Sequence, residues 1–480
     1  MNPNFRSGVV EGFYGRPWTF AQRHQVVGWL KRFGLNTYLH APKDDLNHRV
    51  LWRELLDAEE AAAFKELIAA CREAGVRFIY AIAPGWDEHF APGTPRSSKS
   101  SATATLKRRF RQLIALGCTD FALMFDDVPN LPPEKLANIA RRHADLANEL
   151  WAWLDITTGR SRRKEAQTKP ARTDGKKSPS RQLLPNTEEL SHSLALCPAV
   201  YCTRMAGQQP ADSAYLRALG KHLHTGVDIF WTGPEIISPT ISADHLRDVA
   251  TVLRRPPFIW DNLHANDYDN ARTFLGPFSG RTHELPQLSR GVVLNPNGAC
   301  ELNYLPLATL GEFVRGGKAY DPESALAAAV EAWLPEWERV TGGRFDAATV
   351  RLIVDCFWLP FAHGTQAVKL LDAVRDALCA PPKRLKTSLP RVKQTADRLG
   401  KLFFDLGALR NRDLFDALWP HVWRLKDELG LVVAIGEQRG QGKHAPFVAP
   451  DYPAGVFRGG LLGELRELIQ PVKGGYQPRR

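Results

Sequence analysis

Eight short apolar runs, each followed by a longer stretch with helical spacing, constrain this chain more than anything else in it. The runs are G-V-V-E-G (8–12), T-Y-L-H (37–40), F-I-Y-A-I-A (78–83), F-A-L-M-F (121–125), A-L-C-P-A-V-Y (195–201), D-I-F-W-T (228–232), F-I-W-D (258–261) and G-V-V-L-N (291–295). Apolar runs of this length predict buried strands. The segment A-E-E-A-A-A-F-K-E-L-I-A-A-C-R-E-A-G (58–75) typifies what lies between them: apolar residues at helical spacing, closed by Gly75 in C-cap position. Eight strand-then-helix cycles close a (β/α)8 TIM-type barrel of the α/β class. An open doubly wound sheet is the competitor. It carries a Gly-rich phosphate turn after its first strand, and E-G-F-Y-G-R-P (11–17) is not one.

The expected layout is a catalytic barrel over residues 1–310 and an α-helical C-terminal domain over 311–480. Beyond residue 310 the strand signal fades, and 323–340, 346–358, 363–380, 390–408 and 413–430 show helical spacing. The prolines of W-L-P-E-W and F-W-L-P-F-A should end or kink helices. G-E-Q-R-G-Q-G-K-H (436–444) is rejected as a phosphate loop, because its first Gly is misplaced and His444 stands where Ser or Thr belongs.

The formal charge of +11 would suggest nucleic acid, but its location argues otherwise. Residues 157–181 hold nine Lys or Arg against Glu165 and Asp174, so this stretch alone contributes +7. It lacks apolar periodicity and reads as a disordered basic insertion at about 157–192, between the fourth helix and the fifth strand. In a barrel that is the face away from the catalytic mouth. The seven cysteines are odd in number with no C-x-x-C, which argues against a disulfide framework or zinc site and for a reducing compartment. M-N-P-N-F-R-S-G lacks the apolar segment of a secretory signal, and no stretch approaches a membrane helix. The expectation is a soluble, cytoplasmic protein that binds neither nucleic acid nor membrane.

F-A-L-M-F ends abruptly in Asp126 and Asp127. An isolated pair of acids is most simply a solvated turn. Adjacent carboxylates, however, push their pKa values apart, and that split lets one stay charged while the other carries a proton. Other strand ends add polar and aromatic residues: Gly12 and Tyr14 after the first, Lys43 after the second, Tyr201 at the fifth. Trp260, Asn262 and Asp267 follow at the seventh, and Asn295 at the eighth. Each has a plain structural explanation alone. Together they occupy the positions from which barrel active sites are built. Carboxylates and amides to grip hydroxyls, aromatics to enclose a ring and a carboxyl pair for cleavage suggest carbohydrate chemistry.

At these residues the chain resembles a known family. G-V-V-E-G-F-Y-G-R-P-W-T, L-N-T-Y-L-H-A-P-K-D-D, F-A-L-M-F-D-D, W-T-G-P, I-W-D-N-L-H-A-N-D-Y-D and L-N-P-N closely resemble the catalytic domain of glycoside hydrolase family 84, the O-GlcNAcases, in the same order from about residue 7 to 310. The resemblance implies a retaining exo-β-N-acetylglucosaminidase that removes N-acetylglucosamine (GlcNAc) from Ser or Thr of glycoproteins. It implies substrate-assisted hydrolysis, in which the substrate's acetamido oxygen attacks C1 to form an oxazoline. Carried over by motif position, Asp126 orients and polarises the acetamido group, and Asp127 protonates the leaving oxygen and then deprotonates water. Gly12, Lys43, Asp267 and Asn295 resemble the binders of the sugar hydroxyls. Tyr201, Asn262, Trp260 and Cys197 resemble the wall of the acetamido pocket. Val200 stands where the pattern has an acidic residue. No metal or organic cofactor is implied, and a homodimer through the helical region fits the family.

Three other readings compete. The same chemistry could act on GlcNAc-terminated oligosaccharides or cell-wall fragments. A catalytically silent sugar-binding protein would not need both Asp126 and Asp127. A metal-dependent barrel hydrolase would use the aspartates as ligands, but His40 and His264 lack ligand-type spacing. The aromatics Trp333, Trp337, Phe357, Trp358 and Phe361 must be buried, either against their own barrel or against a second subunit.

Overall fold

The computed structural model describes residues 5–84, 96–127, 133–158, 192–379, 381–443, 447, 468–473 and 475–479. The basic insertion expected at about 157–192 lies almost wholly outside them. Eight strands form a closed barrel in sequence order: β1 Arg6–Glu11, β2 Thr37–His40, β3 Arg77–Ile82, β4 Asp120–Met124, β5 Ser193–Cys197, β6 Val227–Trp231, β7 Phe258–Asp261 and β8 Gly291–Leu294. Every pairing is parallel, and β1 closes the ring on β8 with Arg6 opposite Gly291 and Gly8 opposite Val293. The helices that follow the strands are α1 Phe20–Phe33, α2 Ala58–Glu73, α3 Arg96–Ala115, α4 Leu136–Thr158, α5 Ala214–His222, α6 Ala243–Leu253, the single turn α7 Leu285–Leu288, and α8 Tyr304–Gly316. This is the (β/α)8 architecture read from the sequence.

Local chemistry sets the helix ends. Thr19 caps α1 and Gln22 caps it back, and Asp57 and Glu60 form the same reciprocal box on α2. After α2 the chain reverses through Gly75 at φ 72°, a left-handed conformation that costs glycine little. Inside the barrel the core is lopsided. β3 to β5 each contribute an alanine, Ala81, Ala122 and Ala195, while β6 and β7 contribute Phe230, Phe258 and Trp260. Strands buried on both faces read as near-continuous apolar runs, which is why they are conspicuous in the sequence.

The compact unit that contains the barrel runs from Met1 to Gly364 and takes in Leu409–Ala417. It continues past the boundary expected at residue 310, for a packing reason. Tyr304, at the start of α8, meets Trp29 and Phe33 of α1 with ring centroids 5.7 and 5.1 Å apart. On its other side it stacks on Trp333 at 5.8 Å. Trp333 ends α9 (Pro322–Trp333) and touches Trp337, which meets Phe345 just before α10 (Ala347–Cys356). Trp333 and Trp337 are thus buried within the barrel's own unit, Phe357 and Trp358 are half-buried, and Phe361, expected to be buried, is exposed. The prolines act as expected: α9 gives way to a 3-10 turn containing Pro335, and α10 ends before Pro360.

The second unit comprises Thr365–Ala408 and Leu418–Arg480. Its helices are α11 Thr365–Cys379, α12 Pro382–Leu406 and most of α13 Arg412–Gly440. α12 begins earlier than the 390–408 expected, running through Pro390. An antiparallel hairpin, β9 Ile469–Val472 and β10 Gly475–Pro478, was not foreseen; its proline- and glycine-rich sequence hides the strand pattern. Among the described residues, no helix is long and apolar enough to cross a membrane.

Candidate active site

The carboxyl ends of the barrel strands open into one cavity of about 790 Å³. Gly12 and Tyr14 enter it from the loop after β1, Lys43 from beyond β2, Asp126 and Asp127 from the end of β4, Cys197 from the last position of β5 and Tyr201 just past it. Trp260 and Asn262 come from the end of β7, Asp267 from the loop beyond, and Asn295 from the end of β8. All eleven residues nominated from the sequence therefore line the same space. Val200 is buried and is not part of that lining.

The two aspartates have different surroundings. Asp126 is buried, and its Oδ2 accepts a hydrogen bond from Lys43 Nζ. Burial opposes its ionisation, but Lys43, with help from Arg49, outweighs burial and holds the carboxyl below the ordinary value. Its other oxygen, Oδ1, has no hydrogen-bond partner in the protein. Asp127 adopts φ 57°, a left-handed backbone that Asp tolerates better than most side-chain-bearing residues. It meets different partners. Tyr14 donates to Asp127 Oδ2 at 2.7 Å and Tyr201 to Oδ1 at 3.0 Å. Burial, reinforced by Asp127, pushes both phenols above their ordinary pKa, so they remain donors at neutral pH. Arg49 Nη2 lies 3.7 Å from Asp127 Oδ2.

An amide and indole shelf forms the opposite wall. Trp260 Nε1 and Asn295 Nδ2 both donate to Asn262 Oδ1, at 2.9 and 3.0 Å. Asn262 in turn donates to the Ile236 carbonyl at 2.7 Å, so its orientation is fixed. Asn295 Oδ1 is buried with no protein partner. Lys43 Nζ stands 5.2 Å from the centre of a Trp260 ring. The indole lies so close to the end of β1 that a Cβ at Gly12 would sit 2.2 Å from Trp260 Cζ2. Only glycine fits there. The Tyr14 backbone N–H donates to Asp267 Oδ2 at 2.8 Å, tying the first and seventh loops together. Burial, chiefly, keeps the Cys197 thiol protonated, with Asp126 adding to it. Two residues that line this aromatic-walled cavity, Asp126 and Asn295, thus each carry a buried acceptor oxygen with no hydrogen-bond partner in the protein. That arrangement suits a ring carrying N–H and O–H donors.

Several lining residues escaped the sequence reading. Thr232, Glu235 and Ile236 follow β6, and the W-T-G-P motif could have flagged them. Arg204 comes from a single helical turn after β5. Phe361 comes from beyond the barrel, on a segment anchored by Leu275 N–H to the Phe357 carbonyl at 2.7 Å and Gly276 N–H to the Trp358 carbonyl at 2.8 Å. Among the described residues, no group of three or more His, Cys, Asp or Glu could hold a metal ion. His264 Nε2 lies 2.8 Å from the Gly276 carbonyl, and His40 Nδ1 lies 3.5 Å from Glu11.

The family model described as beta-N-acetylglucosaminidase matches residues 7–341. Protein O-GlcNAcase of Rattus norvegicus and that of Mus musculus are each 37% identical over 315 residues, 65% of this chain and 30% of the relative. The chain thus spans about 30% of the length of these curated relatives. A solved O-GlcNAc hydrolase mutant of Thermobaculum terrenum aligns with a TM-score of 0.71 at 24% identity, covering 92% of this chain and 86% of that one, a likeness of fold.

Proposed function

This chain belongs to the beta-N-acetylglucosaminidase family, and on that footing we propose that it is a retaining exo-β-N-acetylglucosaminidase that removes GlcNAc from Ser or Thr of proteins. The observation that carries this reading is the unequal carboxyl pair. Asp126 is held ionised by Lys43 with its other oxygen lacking a hydrogen-bond partner in the protein, and Asp127 is clasped by two phenols beside it.

The chemistry follows from those two environments. The Asp126 oxygen without a protein partner accepts the acetamido N–H and turns the acetamido oxygen toward C1. As that oxygen bonds to C1, the bond from C1 to the glycosidic oxygen breaks, and Asp127 passes its proton to the leaving oxygen. Positive charge growing on the acetamido group is stabilised by the Asp126 carboxylate. In the second half, water bonds to C1 and gives a proton to Asp127. The bond between C1 and the acetamido oxygen breaks, and the configuration is retained. Tyr14 and Tyr201 donate to the ionised form of Asp127, the form that takes the proton from water. An adjacent pair suffices because neither carboxylate has to act as nucleophile, unlike the opposed pair of ordinary retaining enzymes, about 5 Å apart. The orphaned Asn295 Oδ1 and Asp267 accept sugar hydroxyls, while Trp260 and Tyr201 wall the acetamido methyl. The proposal includes a homodimer through the second unit, whose helices expose Phe404 and Trp423. A monomer by light scattering at all working concentrations removes that element.

The test compares release of a chromogenic phenol from an aryl β-N-acetylglucosaminide with release of GlcNAc from an O-GlcNAc peptide and from a GlcNAc-terminated disaccharide. Turnover of the first two, with the disaccharide slow, is expected. Inertness toward all three refutes the enzyme reading, and preference for the disaccharide refutes the protein substrate.

A further inference from the structure

Asp127 has to exist in two charge states, and the balance of charge in the cavity changes with it. While Asp127 holds its proton, the Asp126 carboxylate and the Lys43 ammonium offset each other. Once that proton has passed to the leaving oxygen, two adjacent carboxylates share the site with one lysine, and like charges so close are costly. A second cation stands beside them. Arg49, in the loop after β2, is almost fully buried, and a buried guanidinium needs an anion near it. Its Nη2 is 3.7 Å from Asp127 Oδ2. Its Nη1 donates to the Tyr14 phenol oxygen at 3.3 Å, and the Tyr14 hydroxyl donates onward to the same Asp127 oxygen at 2.7 Å. The guanidinium carbon also lies 5.2 Å from the centre of the Tyr14 ring.

The loop that carries Arg49 is pinned in place. The carbonyl of its neighbour His48 accepts from Ala83 N–H at 2.9 Å, and the His48 ring Nδ1 sits 3.0 Å from the Ala81 carbonyl. Arg109 of α3 donates to the Glu54 carbonyl at 2.6 Å, holding the far end of the loop. Burial above all, then Lys43, drives His48 well below the ordinary imidazole value, so it stays neutral and adds no cation of its own.

We infer that Arg49 is the positioning residue of the acid/base. Through Tyr14, and directly across the 3.7 Å gap, it balances the charge on Asp127 between donation of the proton to the leaving oxygen and its return from water. This rests on the hydrolase reading above. Tyr201 holds the other Asp127 oxygen without involving Arg49, so Oδ2 is the oxygen whose charge Arg49 governs. Arg49 itself neither gains nor loses a proton in either half of the reaction.

The test uses Arg49→Gln and Arg49→Lys in the full chain. kcat/KM is measured on two aryl β-N-acetylglucosaminides, one with an activated and one with a poor leaving group. A group that acts by stabilising ionised Asp127 matters most where proton transfer to the leaving oxygen is most advanced. Arg49→Gln should lose roughly 30-fold on the poor leaving group and about threefold on the activated one. Arg49→Lys, which keeps the charge, should bring the ratio of the two substrates back to within about threefold of the original protein. Equal losses on both substrates in Arg49→Gln overturn the inference, because a merely structural role lowers both alike. If Arg49→Gln does not fold, the lysine variant decides: a ratio displaced by more than about tenfold overturns it. Inactivity of the unaltered protein on both substrates removes the hydrolase reading and this inference together, whereas an active protein with parallel losses removes this inference alone.

Discussion

Replacing Lys43 with Met keeps the length of the side chain and removes its charge, which leaves Asp126 buried without its ammonium partner. Lys43 and Asp126 have side chains only 4% and 7% exposed, so solvent cannot substitute for either. Removing one partner of a buried pair costs about 3–5 kcal/mol. Asp126 can escape part of that cost by taking up a proton, and the pH dependence then reverses sign. In the unaltered protein burial raises the Asp126 pKa, but Lys43, with Arg49 and a backbone hydrogen bond, more than offsets it, and the net value falls below the ordinary 3.8. The pair's contribution to stability is therefore fully present above that ordinary value and is lost as the pH falls through the lower folded one. In Lys43→Met burial is opposed only by the smaller effects of Arg49 and a backbone hydrogen bond, so ionised Asp126 is penalised at high pH and relieved by acid. Thermal melts from about pH 4 to pH 8 should show a wide gap in Tm at neutral pH that narrows toward the acid end. Turnover of an aryl β-N-acetylglucosaminide near neutral pH should fall about 100- to 1000-fold, because a neutral Asp126 cannot stabilise charge on the acetamido group. The residual rate should climb with pH as Asp126 ionises. A Tm gap that does not change with pH, together with a rate loss under about fivefold, would refute the reasoning.

The remaining predictions address the same cavity. Asp127→Asn should depress kcat/KM on poor leaving groups far more than on activated phenols, whereas Asp126→Asn should depress both by about 100-fold or more; parallel leaving-group slopes would sink the division of roles. Gly12→Ala forces a methyl to within 2.2 Å of Trp260, and such overpacking costs roughly 1–3 kcal/mol; the change should appear as a raised KM and a lowered Tm, and an unaltered KM would contradict the close approach. The matching aryl β-glucoside, which lacks the acetamido nucleophile, should be turned over at least about 1000-fold more slowly than the N-acetylglucosaminide. Activity should persist after dialysis against a chelator, since in the proposed mechanism the nucleophile comes from the substrate; a loss restored by zinc or magnesium would revive the metal reading.

How much of this was legible depends on which physical constraint each residue obeys. The barrel strands stood out because residues buried on both faces leave unbroken apolar runs, and β2 and β7 were found to the residue. Most of the candidate site residues followed from the strands, since polar residues at or after the ends of such runs lie at the barrel mouth, whereas Cys197 came only from the family resemblance. Loop residues obey no such period. Arg49 lies in N-H-R-V-L-W-R-E, where nothing separates it from Arg53, which instead stacks on Trp52 at 4.2 Å. Phe361 was hidden because its segment reads as part of a helical tail, whereas backbone bonds from Leu275 and Gly276 and the Arg272 guanidinium on the Pro360 carbonyl hold that segment against the barrel.

The same limit applies to carboxylates. Glu11 ends β1 as Asp126 follows β4, and in sequence either could be reactive. Glu11 accepts from Trp18 N–H at 3.0 Å, from Arg23 at 2.9 and 3.0 Å and from the Tyr38 hydroxyl at 2.6 Å. Burial opposes its ionisation, but Arg23 and His40 together hold it down to about 2. Its acceptor capacity is spent on holding α1 and the loop bearing Tyr14 to the barrel. Asp126 is also ionised by a buried cation, yet it keeps one oxygen unbonded beside the cavity. A low pKa therefore does not distinguish the carboxylate proposed to be reactive from the structural one here. The vacant acceptor does, and that depends on the arrangement of donors around the side chain, which no spacing in the sequence records.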